Sequence, residues 1–172
     1  AVSFYDKNDI WDFSKEKNKK GESQYVESYY NLTTDENNEL SCVITIPYTQ
    51  VQSNDICGWL EAGSDKDNYG QMTVYLVNQT DENKAYGIMY AEKLIESDST
   101  ISEQINALSA NGAKVSIGNM RVLPVKNSLI YIAPVYVTNM ENSAAYPELK
   151  RVIAIYNDKI AMEKTLFDSL QV

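Results

Sequence analysis

Histidine is absent from the 172 residues. That single absence removes Ser-His-Asp and Cys-His nucleophile activation, histidine general bases and most catalytic zinc sites. Any chemistry carried by this chain therefore rests on carboxylates, tyrosine, lysine or a bound metal. Long apolar runs are also missing, and no stretch approaches the roughly 20 residues that cross a bilayer as a helix. Nor does a basic-then-apolar leader open the chain, which starts Ala1-Val-Ser-Phe-Tyr-Asp. The expectation is either a cytoplasmic protein or a piece of a longer chain. Basic residues are outnumbered, 15 against 24 acidic, for a net charge of −9. Nucleic-acid binding needs clustered Lys and Arg that release counterions, so no nucleic-acid partner is expected. The one basic cluster, Lys15 to Lys20, is interrupted by Glu16 and reads as a solvated loop.

What is present points to one folded unit, long enough to bury a core without staples. Residues 114–138 are its expected centre: two β-rich runs flank the turn-forming Lys126-Asn127-Ser128. Val115, Ile117, Leu123 and Val125 alternate with Met120 and Val122. In the second run Leu129, Tyr131, Val135 and Val137 alternate with Ile130, Ile132 and Tyr136. Strands that are apolar on both faces lie inside covered sheets.

The other elements follow in order. Residues 1–24 carry Phe4, Tyr5, Trp11 and Phe13 in a polar setting, which predicts an arm packed on the domain and a mobile loop ending at Gly21. A single α+β domain is expected over 25–172. Tyr25 to Thr33 and Leu40 to Pro47 alternate as strands, with Pro47 ending the second because it lacks a ladder donor. Ser53-Asn54-Asp55 ahead of Ile56, Trp59 and Leu60 has the spacing of a capped short helix that Gly63 stops. Asp65 to Gly70 turns into a strand at Met72 to Val77, and Asn78 to Lys84 is a polar loop. Met89, Leu94 and Ile95 mark one helix. Thr100-Ile-Ser-Glu103 has capping-box spacing for another, with Asn111-Gly112 as its stop. A strand at Val152 to Tyr156, a tight Asn157-Asp158 turn and a final helical turn at Thr165 to Asp168 complete the chain. The order favours α+β, a mainly antiparallel sheet with a few short helices packed on it. No internal repeat is visible.

Several of these stretches resemble one family, the multi-pass bacterial and archaeal membrane proteins called uncharacterised protein family 0182 (UPF0182). They include Phe4-Tyr-Asp-Lys-Asn-Asp-Ile-Trp11, Leu40 to Thr49, Asp55 to Asp65 around Trp59-Leu60, and Tyr69-Gly70. Ile101-Ser-Glu-Gln104, Val115-Ser-Ile-Gly-Asn119, Leu123-Pro-Val125, Ser128-Leu-Ile-Tyr131 and Pro147 to Ile153 continue the series in the family's order. The resemblance implies the C-terminal part of an extracytoplasmic region, on the outer side of the cell membrane. Helices absent from these residues would anchor it. The family carries no assigned activity, so location is implied and chemistry is not.

Candidate site residues are few. Cys42 and Cys57 are two buried thiols or, in an oxidising compartment, a disulfide. Asp65 and Asp67 stand at alternating positions before Gly70, like half a calcium loop. The twelfth position is Leu76 rather than a bidentate acid, and Lys66 opposes a cation. A plain turn explains them better. No catalytic residue and no cofactor are assigned. Asn119 and Arg121, polar among apolar neighbours, either line a pocket or satisfy a bulge near Gly118. The reading is a non-catalytic interaction or accessory domain, touching a protein partner or the upstream part of the same chain. The alternative is a carboxylate-based surface hydrolase acting on glycans or peptides. The hydrolase predicts a cleft with two acids, one of raised pKa; the interaction domain predicts a continuous apolar or aromatic patch.

Overall fold

Alternating sequence dominates the computed structural model, which describes residues 10–34, 39–77, 85–125, 128–140 and 146–171. The chain forms two compact units where the sequence suggests one domain over 25–172. The first takes the described residues up to 77 with 85–89, the second those from 90 onward. The first unit contains β1 (Trp11–Phe13), β2 (Lys15–Lys17), β3 (Ser23–Tyr25), β4 (Tyr29–Thr34), β5 (Leu40–Gln50), β6 (Ile56–Gly63) and β7 (Met72–Leu76). Helix α1 (Ile88–Ser97) begins at its end. The second unit holds α2 (Ser99–Leu108), β8 (Ala113–Ile117), β9 (Arg121–Val125), β10 (Ser128–Asn139), β11 (Glu148–Tyr156), β12 (Lys159–Glu163) and α3 (Leu166–Ser169). The protein is α+β, with mainly antiparallel sheet and short helices.

Each unit is built on one long central strand. In the first, β5 pairs with β6 on one side, and β7 lies beyond β6. On its other side β4 covers the first half of β5 and β1 the second half. In the second unit, β10 pairs with β11, and β12 lies beyond it. The other side of β10 is shared between β9 and β8 in the same manner. The five strands follow one another in the same chain order in both units. An internal repeat thus exists in topology where none is visible in sequence.

Both central strands carry a proline at the point where the flanking strand changes. Pro47 lies between the residues paired with β4 and those paired with β1. Pro134 lies between those paired with β9 and with β8. The residue leaving the short strand donates its N–H to the proline carbonyl in each case, Ser14 to Pro47 at 3.1 Å and Gly118 to Pro134 at 2.8 Å. The N–H and C=O of one residue point to the same neighbour in an antiparallel ladder. The absent proline donor would therefore face the gap between two flanking strands, where no ladder acceptor waits for it. Pro47 was expected to end its strand, but β5 continues through it to Gln50. The register then shifts one residue further on in both sheets, between Tyr48 and Thr49 and between Val135 and Tyr136.

That shift also corrects the helix expected after Asn54. Residues 56–63 are strand β6. Cys57 is the extra residue of the bulge, since Ile56 pairs with Thr49 and Gly58 with Tyr48. The bulge reverses the alternation, so Ile56 shares a face with Trp59 and Glu61. An i, i+3 spacing therefore appears in a strand. Ser53 caps no helix; its hydroxyl accepts the Asp55 N–H, and Asn54 adopts a positive φ of 59°. The second helix begins earlier than its sequence suggests. Asp98, not Thr100, is the N-cap, accepting the Ile101 N–H at 2.8 Å. Gly112 does adopt the left-handed conformation, φ 74°, after a single 3-10 turn.

The expected arm is part of the first sheet through β1, and its expected mobile loop is the β2–β3 hairpin. Gly21, at φ 80°, closes that hairpin's turn onto the Asn18 carbonyl. The 114–138 hairpin is present as β9–β10, with β8 continuing its first arm after a break at 118–120. Asn119 is exposed in that break. Phe4, Tyr5, Lys126, Asn127 and the loop over 78–84 lie outside the described residues.

Gly58 marks how tightly the first sheet closes. A Cβ there would sit 2.4 Å from the Tyr75 carbonyl oxygen and 3.4 Å from the Trp11 ring. Gly58→Ala is expected to cost about 2–4 kcal/mol in chemical denaturation. A loss below about 0.5 kcal/mol would mean that the β6–β7 pair yields freely.

A candidate interaction surface on the first sheet

The alternation of β5 gives the first sheet two unlike faces. Val43, Thr45, Pro47 and Thr49 are buried. Ile44, Ile46 and Tyr48, pointing the other way, remain half-exposed. Register carries both sets across the sheet. On the buried face Tyr29, Thr45, Glu61 and Thr73 form one row across four strands. The opposite face bears Tyr30 and Leu32 from β4, Leu60 and Ala62 from β6, and Met72, Val74 and Leu76 from β7. Trp11 and Phe13 join it from β1, with ring centroids 6.0 and 5.4 Å from Tyr48.

This polarity is inverted. The outward face carries no charged side chain among the described residues of its strands, in a chain of net charge −9. Its side chains are nonetheless open to solvent: Tyr30 is 72% exposed, Leu32 67%, Met72 71% and Leu76 67%. At about 4.8 Å between strands and 3.3 Å per residue, four strand lanes cover roughly 500 Å². That matches the largest apolar patches found on monomers, which commonly mark interaction sites. The buried face meanwhile encloses the Glu61 carboxyl and the hydroxyls of Thr45 and Thr49.

Glu61 is the carboxyl in that row. It is 6% exposed, and loss of hydration raises its pKa, while the Trp59 indole N–H, 3.0 Å from Oε1, opposes the rise. Trp59 itself stacks on Tyr75 with centroids 5.2 Å apart. The residues directly opposite Glu61 are Thr45 and Thr73, so no second acid faces it across either strand pair. The Thr45 hydroxyl is buried without a hydrogen-bond partner. Among the described residues, no group of three His, Cys, Asp or Glu side chains is placed to hold a metal.

The residues singled out in the sequence fall elsewhere. Asp65 accepts the Cys42 N–H and donates its own backbone N–H to the Asn68 side-chain oxygen, so it fastens the β6–β7 connection to the start of β5. Asp67 is exposed in the same turn. The Cys42–Cys57 disulfide considered for an oxidising compartment is corrected: both cysteines are free thiols. Cys42 lies level with Ser64, at the far end of the β5–β6 ladder from the Cys57 bulge. Six to seven residues of strand separate the two levels, on the order of 20 Å, whereas a disulfide spans Cα atoms under about 7 Å apart. Burial pushes the Cys57 thiol up to about 11.

Comparison with known proteins gives a consistent picture. Residues 1–108 match the model of the Uncharacterised protein family (UPF0182). A UPF0182 protein of Caldicellulosiruptor saccharolyticus is 33% identical over 97% of this chain, which covers 18% of that relative. One from Trichodesmium erythraeum is 36% identical over 98% of the chain and 16% of its own length. One from Methanospirillum hungatei is 34% identical, with 98% of the chain and 18% of the relative covered. The chain thus spans less than a fifth of these relatives. No solved structure matches it.

Two measurements follow. Because Glu61 holds its proton more tightly when folded, its stabilising contribution is complete below the ordinary glutamate range. It is lost as pH rises through the elevated folded value. Glu61→Gln, which keeps an acceptor for Trp59, is expected to be more stable than the parent at pH 7. The gain should disappear on acidification, as read by denaturation at both pH values; an equal gain at both would remove the titration as its cause. Dithiothreitol is expected to leave Tm unchanged, and a fall of several degrees would reinstate a bridge.

Proposed function

We propose that this chain, which belongs to the uncharacterised protein family UPF0182, is a non-catalytic accessory domain on the extracytoplasmic side of an integral membrane protein. Its work in this reading is to dock the uncharged outer face of its first sheet against protein. The observation that supports the reading is the inverted polarity of that sheet. Five side chains, Tyr30, Leu32, Leu40, Met72 and Leu76, are each more than 65% exposed. Covering them gains about 1.5–3 kcal/mol apiece, or on the order of 10 kcal/mol before the cost of association. The membrane location follows from the family resemblance rather than from any side chain described above.

A carboxylate-based surface hydrolase is the alternative. Glu61 has the raised pKa that a general acid needs, but paired-acid catalysis also requires a second carboxyl flanking the scissile bond. Thr45 and Thr73 occupy the positions beside it.

The test is photo-cross-linking in the full-length protein on intact cells, with the reactive group placed at Tyr30 or Leu32. Adducts to protein are expected. A face that yields none, together with glycan or peptide hydrolysis abolished by Glu61→Gln, would replace docking with the hydrolase.

A further inference from the structure

Met72, Val74 and Leu76 of β7 belong to the outward face, and the strand's backbone adds a second open surface. Val77 donates its N–H to Cys57 and Gly63 donates to Gln71, which fixes the phase of the β6–β7 ladder. Hydrogen-bonded and non-hydrogen-bonded pairs alternate in an antiparallel ladder. Thr73 and Tyr75 therefore turn their N–H and C=O groups inward to β6, while Met72, Val74 and Leu76 turn theirs away from the sheet. Those three residues have no hydrogen bond across the outer edge among the described residues, and all are more than half exposed. The strand reads Met-Thr-Val-Tyr-Leu, without the charge or proline that blunts edges.

The second unit differs at the same position. Its corresponding edge strand, β12, carries Lys159 and Glu163 at its ends, and α3 packs against it. The topologically equivalent edge thus carries charge in one unit and none in the other. On the far side of the first sheet the outer lane is split between β1 and β4, which leaves β7 as the continuous edge.

We infer that β7 pairs through Met72, Val74 and Leu76 with a further β-strand supplied by another part of the same polypeptide, outside residues 1–172. The inference rests on the docking reading above and names its occupant. Three observations select that occupant. In the relatives cited, this region is less than a fifth of the chain, so most of the polypeptide lies elsewhere. Backbone pairing along this short edge gains only a few hydrogen bonds at about 1 kcal/mol each, against about 4–15 kcal/mol for joining two free molecules. A tethered segment avoids most of that cost. A second copy paired edge to edge would bring together two chains of net charge −9.

The experiment is hydrogen exchange at single-residue resolution, on the 172-residue chain and on the full-length polypeptide. In the chain alone, the Thr73 and Tyr75 amides are expected to be protected and those of Met72, Val74 and Leu76 to exchange fast. In the full-length protein the latter three should slow by roughly 100-fold or more. Val74→Pro removes an outward donor while leaving the β6 ladder intact, and should abolish that added protection at Met72 and Leu76. Fast exchange at all three in the full-length protein overturns the inference. So does protection that appears in the chain alone and grows with its concentration, which would identify a second copy. Cross-links from Tyr30 or Leu32 without edge protection would retain the docking reading and remove only the strand. Absence of both would remove both.

Discussion

A long strand flanked on one side by two shorter ones is the constraint from which both units follow. Where one flanking strand gives way to the next, the central strand loses its ladder partner for two residues, and the second of them is proline. The carbonyl of Pro47 or Pro134 receives the first N–H beyond the short strand. That bond sets where β1 and β8 end. The register shift directly after each proline then sets the phase of β6 and β11 against the central strand. The side chains presented on each face depend on that phase. Without the bulge at Cys57, Ile56 would lie on the exposed face and the Trp59–Glu61 pair would no longer share its side.

The sheet class was legible because period-2 alternation survives in β5 and β10, and the tight Asn157-Asp158 turn was legible because few residues tolerate its backbone. The failures share a cause. A bulge converts alternation into helical spacing, so residues 56–63 read as a helix. A proline is a stop in an isolated strand but is accommodated where flanking strands change, so β5 read short. Neither circumstance is local, since each depends on a partner strand distant in sequence. The topological repeat stayed hidden for a related reason. The proline and its carbonyl bond are shared, but Ile46-Pro47-Tyr48 and Ala133-Pro134-Val135 have little else in common.

The interaction surface was legible only as an alternative to be decided. Tyr30, Leu32, Met72, Val74 and Leu76 look like ordinary core residues in a strand pattern, and only register and exposure show which face they occupy. Glu61 gave no signal at all. It is one of 24 acidic residues, and its perturbation comes from the burial that only the assembled sheet creates. The resemblance to UPF0182 was carried by motifs such as Trp59-Leu60 and Val115 to Asn119, and the family match covers the first of these directly.

The two units differ most at the change of flanking strand itself. The second spends only Gly118, Asn119 and Met120 between β8 and β9. The first holds a complete hairpin over residues 15–25 at the same place, pinched shut where Val26 donates to the Ser14 carbonyl at 2.8 Å. The bond to the proline carbonyl survives either arrangement. This junction is therefore a natural graft point: a loop or small hairpin placed at Asn119, with its ends held as Ser14 and Val26 hold theirs, would extend the second unit while its central ladder stayed whole.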